Sequence, residues 1–159
     1  MAVWSLAWCS QSRRARLHGV GTVNLLRLAK QLAESAETAA QEAGLSISMC
    51  IIDEHGNVVL KHRMDGATLI SIEMSEGKAY TAAALQAPTD KISELVLPGQ
   101  PLFTLASVSG GRYVAFGGGL PLPVDGKCIG GLGISGGTSE QDTLIAHKVL
   151  GRDWFAAAT

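Results

Sequence analysis

At 159 residues the chain can bury one core of ordinary domain size, and 47% apolar against 17% charged residues is low in charge beside a typical ~25%. The formal net charge of −1 excludes nucleic acid as a main partner, because a phosphate-binding face shows as a basic excess. Three cysteines, Cys9, Cys50 and Cys128, without a C-x-x-C pair exclude a disulfide framework and point to a reducing, cytoplasmic setting, and no apolar run approaches the ~20 residues of a membrane span.

The first 20 residues read as a peripheral extension. An apolar run, Met1 to Cys9, precedes Arg13, Arg14 and Arg16, the reverse of a secretory signal. Trp4 and Trp8 offer surface for a partner subunit, and the light charge of the chain also points to apolar surface covered by other copies.

Residues 22–43 predict an amphipathic helix, with Leu25, Leu28, Leu32, Ala36 and Ala39 on one side and Lys30, Glu34, Glu37 and Gln41 on the other. Gly44 is a natural stop. Alternation through 45–52, a turn at Asp53–Asn57 and a returning VVLKHRM predict a hairpin over 45–64. Residues 68–86 then read as a helix rich in small residues. Gly77 inside it costs about 1 kcal/mol relative to Ala, which calls for a packing or ligand reason. A short helix, DKISELV, follows Pro88-Thr89. Strands are predicted near 105–108, 112–117 and 127–135, with Asp125-Gly126 as a hairpin turn. Thr138 or Ser139 caps a last helix, SEQDTLIAHKVL, ended by Gly151. Hairpins without βαβ crossovers imply an α+β domain with an antiparallel sheet.

Eleven of the 19 glycines fall within residues 110–137, a density that marks tight turns or backbone touching another group. Gly131 to Gly136 spells G-x-G-x-x-G, but the chain beyond it holds one helix and no second parallel strand. The first turn of that helix is also acidic, which repels phosphate. The glycines therefore read as allowing close strand–helix packing and the turn into the last helix. His18, His55, His62 and His147 form no zinc spacing. His55 in a turn and His62 on a strand read first as surface or satisfied histidines and second as axial ligands to haem iron, a role open also to Cys50 or Met64 in a pocket. No Gly-x-Ser-x-Gly supports a serine hydrolase. Arg63 and Asp65 leave a strand end, Lys78 projects from a helix, and Gly117, Gly118 and Gly119 bare backbone amides. Together they make either an anion or carboxylate pocket or a set of fold-holding ion pairs.

RMDGA at 63–67, KAYTA at 78–82, PGQPLF at 98–103, GGR at 110–112, FGGGLPL at 116–122, DG at 125–126, IGGLGISGG at 129–137 and EQD at 140–142 occur in one order and spacing. Together they resemble the GlcG/HbpS family, which includes the C-terminal domain of PduO-type proteins, over about residues 22–150. Residues 1–20 fall outside the resemblance, leaving 21–159 as a single domain.

The resemblance implies a profilin-like, three-layer α/β/α domain with a five-stranded antiparallel sheet, and homo-oligomers. It implies a range of functions: haem or iron binding, a link to glycolate metabolism, or association with cobalamin-dependent diol or glycerol dehydratases. The adenosyltransferase activity of full PduO is not expected, and neither is a membrane role. Two readings follow. The first is an oligomeric accessory module that binds haem, a corrinoid or a small organic acid near Gly117–Gly119 without turnover. The second is an enzyme on a small hydroxy acid or carbonyl compound. There Lys78 acts as acid/base or electrophile and Arg63 as carboxylate clamp, with Asp65 or Asp142 assisting. The absence of a nucleophile–base pair favours the first.

Overall fold

A computed structural model of the protein describes residues 23–151. The expected extension at 1–20 lies outside the described residues. Helix α1 (Leu25–Glu42) starts at Asn24, whose side chain accepts from the Arg27 amide at 2.9 Å. It ends in a left-handed Gly44 (φ +66°), with the Gly44 amide on the Gln41 carbonyl at 3.0 Å and the Leu45 amide on Ala40 at 2.9 Å. Strands β1 (Ser48–Asp53) and β2 (Val58–Arg63) form the expected hairpin. Its turn is held by the Asp53 carboxylate, which accepts from the amides of His55 and Asn57 at 2.9 and 2.8 Å. Helix α2 spans Leu69–Leu85, and α3 (Thr89–Ile92) runs into a 3₁₀ turn at Ser93–Val96. Strands β3 (Gly119–Val124) and β4 (Lys127–Ser135) pair across Asp125-Gly126, both at positive φ (48° and 78°) as a type I′ hairpin requires. Helix α4 (Ser139–Leu150) opens on a capping box formed by Thr138 and Gln141.

The strands form one antiparallel sheet in the order β2-β1-β4-β3, with four strands among the described residues and not the five expected. The expected strand at 105–108 is part of a 3₁₀ segment, Leu105–Gly111, in which Ser109, Gly110 and Gly111 take positive φ and turn the chain back on itself. The expected strand at 112–117 is turn and irregular chain without strand pairing, Arg112 still being helical, and pairing begins only at Gly119. Pro121 and Pro123 then sit on β3, an edge strand, where a missing amide is tolerated, with a register shift between them.

Helices cover both faces of the sheet. On one, α1 and α4 close a core of Leu32, Ala36, Ile47, Met49, Ile51, Leu120, Leu132, Ile134, Ile145 and Val149. On the other, α2 packs on Cys50 and Ile52. This is why β1 is buried along nearly its whole length. The period-two pattern expected there gives way to apolar residues on both faces.

Candidate functional site

The site begins where α2 meets β4. A Cβ on Gly131 would lie 2.1 Å from the Ala79 carbonyl oxygen, and one on Gly133 would lie 1.9 Å from that of Ser75. Both glycines therefore let the backbone of α2 rest on the strand, as the packing reading of G-x-G-x-x-G requires. The face of α2 laid on the sheet is correspondingly small: Ser71, Ser75, Ala79 and Ala82 are buried. Gly77 answers its own question in the same way. Its Cβ would fall 2.4 Å from Val114 Cγ2, so the glycine is a notch in which the unpaired 112–117 segment seats as it crosses the helix. That crossing is also held by Val114 N–H on Thr81 Oγ1 (2.8 Å), by Arg112 on the Gly56 carbonyl (2.6 Å), and by the Arg112 guanidinium 3.9 Å from the Tyr80 ring centroid.

Lys78 leaves the flank of α2 toward α4. Its Nζ donates to Asp142 Oδ2 at 2.6 Å and to the Ile134 carbonyl at 2.9 Å, and the two side chains are only 3% and 2% exposed. Asp142 Oδ1 accepts from the Gly137 amide at 2.9 Å, which ties the pair to the turn leading into α4. Burial pushes the Lys78 ammonium below the usual lysine range and the Asp142 carboxyl above the usual carboxylate range. In each case the partner's hydrogen bond and charge oppose the shift. The triple glycine passes directly over this pair. Gly118 (φ +111°) would place a Cβ 2.7 Å from Asp142 Cβ and 3.3 Å from Lys78 Nζ. The amides of Gly117 and Gly119 are used inside the protein, on Ser139 Oγ (2.7 Å) and Thr89 Oγ1 (2.8 Å). They are not the open donors expected.

Beside the pair lies a cleft of about 380 Å³, lined by Ile70, Met74, Lys78, Phe116, Ser135 and Asp142 with Thr68, Ser139, Gly136 and Gly137. A second depression of about 450 Å³, lined by Glu73, Glu76, Arg112 and Val114 among others, lies across the 112–117 crossing and shares Met74. Of the residues expected at a ligand site, the structure brings together Lys78 and Gly117–Gly119. Arg63 and Asp65 do not line the cleft. Arg63 donates to the Ala67 carbonyl through Nε (3.1 Å) and Nη2, closing the turn in which Asp65 is exposed. His55 sits exposed at the tip of the β1–β2 hairpin, 3.7 Å from Glu54. His62, on β2, bonds Glu37 Oε1 through Nε2 at 2.7 Å. Met64 packs against the large core. Cys50 is fully buried and its thiol is pushed up to about 12 by that burial, so it supplies no thiolate to a ligand.

Ser135, Met74 and Phe116 were missed as site residues because their types carry no chemical signature in sequence. Ser135 stands at the end of the glycine run, which was the one available signal. Among the described residues no group of three or more His, Cys, Asp or Glu side chains is arranged to hold a metal ion, and no helix is long and apolar enough to cross a membrane.

These features define an α+β domain with an antiparallel sheet covered on both faces and a cleft over a buried Lys–Asp pair. The family description "Haem degrading protein HbpS-like" matches residues 26–151, and the chain belongs to this HbpS-like family. It is 42% identical over 125 residues to an uncharacterised 15.0 kDa protein from the dhaT-dhaS intergenic region of Citrobacter freundii, covering 79% of this chain and 88% of that one. It is also 42% identical over 120 residues to the corrinoid adenosyltransferase PduO of Salmonella typhimurium, covering 76% of this chain but only 36% of PduO. Escherichia coli GlcG is 32% identical over 109 residues, 69% of this chain and 78% of GlcG. Among solved structures, Klebsiella pneumoniae ORFY superposes with a TM-score of 0.79 at 36% identity, covering 90% of this chain and 97% of that one. A PduOC–haem complex superposes at 0.74 and 40% identity (82% and 91%). A Streptomyces reticuli HbpS double mutant superposes at 0.73 and 26% identity (86% and 90%).

Proposed function

We propose that the protein is a homo-oligomeric binding module whose cleft takes a tetrapyrrole, haem or a corrinoid, without turning it over. The observation that carries this reading is the lining. Ile70, Met74 and Phe116 offer apolar surface to a flat ring, and Lys78, Ser135 and Ser139 stand at a polar end. The haem in the 40%-identical PduOC structure supports the ligand class. The residues present fit such a group. The Met74 thioether is the side chain of the lining suited to an axial position, whereas His55 and His62 lie outside it. His62, oriented by Glu37, has the carboxylate-backed arrangement of an iron ligand and remains the candidate for a haem bound at the β2 edge. Bound haem would supply a redox-active iron, and the chain's own part is to hold and orient the ring.

Leu69, Leu144 and Phe116 are 81%, 69% and 58% exposed, apolar surface that a second copy would cover. An accessory role beside cobalamin-dependent diol or glycerol dehydratases draws its support from the similarity to the corrinoid adenosyltransferase PduO. Titration of the folded protein with haem and with cobalamin, followed by visible absorption, should give a saturable spectral shift with one of them, and Phe116→Ala should weaken it. No change with either overturns the reading, and native mass spectrometry of the same sample reports the oligomer.

One observation favours the enzymatic alternative on a small hydroxy acid or carbonyl compound. Lys78 is buried and its ammonium is held below the usual range by that burial, a condition that a reactive lysine needs. Borohydride reduction in the presence of glyoxylate, with peptide mapping, tests it: a label on Lys78 supports the alternative and none removes it. Arg63 is committed to Ala67 and would have to be released to clamp a carboxylate.

A further inference from the structure

On the α2-facing side of β4 the residues run Gly131, Gly133, Ser135. The first two have no side chain because helix backbone lies on them. Ser135 is the first on that face with a side chain, and it opens into the cleft. It is 8% exposed, yet among the described residues its hydroxyl has no hydrogen-bond partner. Among the described residues no fully buried side-chain oxygen lacks a partner, so the Ser135 hydroxyl keeps some exposure, and the residue lines the cleft.

The groups around it are short of acceptors. The Lys78 ammonium has three N–H donors and spends two, on Asp142 and the Ile134 carbonyl. Both carboxylate oxygens of Asp142 are engaged, by Lys78 and by the Gly137 amide. Ser139 Oγ accepts from the Gly117 amide, so its own hydrogen is left to donate. What the inner end of the cleft lacks is therefore an acceptor oxygen. The Lys78–Asp142 pair is neutral as a unit, and the N-terminus of α4 adds a positive partial charge that favours an anion there. Glu140 in the same turn opposes this, but it is exposed to solvent. The outer end is Ile70, Met74 and Phe116.

We propose that Ser135, with the spare donors of Lys78 and Ser139, is a carboxylate-recognition subsite for an otherwise apolar ligand. The subsite rests on the cleft reading above and names the ligand's polar group. The carboxylate belongs either to a propionate of a tetrapyrrole or to a free apolar acid, and two arms separate them. In the first, haem is titrated against haem dimethyl ester, whose carboxylates are blocked. In the second, benzoate is compared with benzyl alcohol by thermal shift and calorimetry.

Haem should bind at least about tenfold tighter than its ester, or benzoate should bind where benzyl alcohol does not. Ser135→Ala should weaken the carboxylate-bearing ligand by about tenfold or more, the loss of one hydrogen bond to a charged group. Ser135→Thr, which keeps the hydroxyl, should largely restore it, and both variants should melt as the parent does. Equal binding of haem and ester, untouched by Ser135→Ala, refutes the subsite and leaves the tetrapyrrole reading standing. Binding of benzoate that depends on Ser135, with no haem uptake, supports the subsite and refutes the tetrapyrrole. Uptake of neither acid nor haem refutes both. Should Ser135→Ala fail to fold, the ester comparison and Ser135→Thr still decide.

Discussion

Replacing Lys78 by Met tests the centre of the site most directly. The side chain keeps its length and loses its charge, so Asp142 is left in a 2%-exposed position with backbone amides, those of Gly137 and Gly136, as its remaining hydrogen-bond donors. Breaking a buried pair from one side costs about 3–5 kcal/mol, mainly through the stranded charge. Against a total stability of about 5–15 kcal/mol for a domain, that is a third or more of what holds the fold. The penalty should depend on pH, and its sign is fixed. Burial raises the Asp142 carboxyl above its ordinary 3.8, and without Lys78 nothing of comparable strength pulls it back. A carboxyl raised in the folded state contributes stability below its unfolded value and loses it as pH rises through the folded value. Lys78→Met should therefore be most damaging at neutral pH and recover as the medium is acidified toward 4. Asp142→Asn strands the ammonium instead and should cost about the same. The double variant should cost clearly less than the sum, because neither charge is then left alone. Urea unfolding followed by circular dichroism at pH 7 and pH 5 measures all three. Single losses under about 1 kcal/mol, or losses that simply add in the double variant, would refute the claim that this pair is a charged, mutually dependent unit.

Gly133→Ala places a Cβ 1.9 Å from the Ser75 carbonyl oxygen, backbone that cannot step aside, and should destabilise by about 3 kcal/mol in chemical denaturation. Gly77→Ala should cost less overall, since Val114 can shift and the helix gains about 1 kcal/mol in propensity. It should instead unseat the 112–117 crossing, seen as faster amide exchange there and none elsewhere. Burial holds His147 below its ordinary 6.5, so it binds fewer protons folded than unfolded between its folded value and 6.5. Stability should therefore rise as pH rises through that window and be flat above it, and His147→Gln should remove the slope in urea titrations at stepped pH.

The elements read from sequence were those written in local chemistry. The apolar period and Gly44 set α1, Asp53 and Gly56 turned the first hairpin, Asp125-Gly126 turned the second, and Thr138 capped α4. Sequence reasoning failed between residues 97 and 118. Within that stretch, 105–108 and 112–117 carry the β-formers of strands, but Ser109, Gly110 and Gly111 bend the chain at positive φ and Val114 is drawn to a notch on a distant helix. The site was legible in part. Lys78 and the triple glycine were expected near one another, but the glycine amides were expected to face a ligand, and two of them are consumed internally.

By itself, then, the sequence determined the α+β class, the helices and the tight turns, because capping, turn geometry and periodicity act over a few residues, and the resemblance to the HbpS-like family rested on its ordered motifs instead. Only the tertiary structure decided that the sheet has four strands among the described residues, that Lys78 meets Asp142 from 64 residues away, and that Ser135 lines the cleft with no hydrogen bond to the described residues. Those facts follow from which backbones can touch, and that is settled by packing across the whole chain: Gly131 and Gly133 admit α2 to the sheet, and everything around the cleft takes its position from that contact.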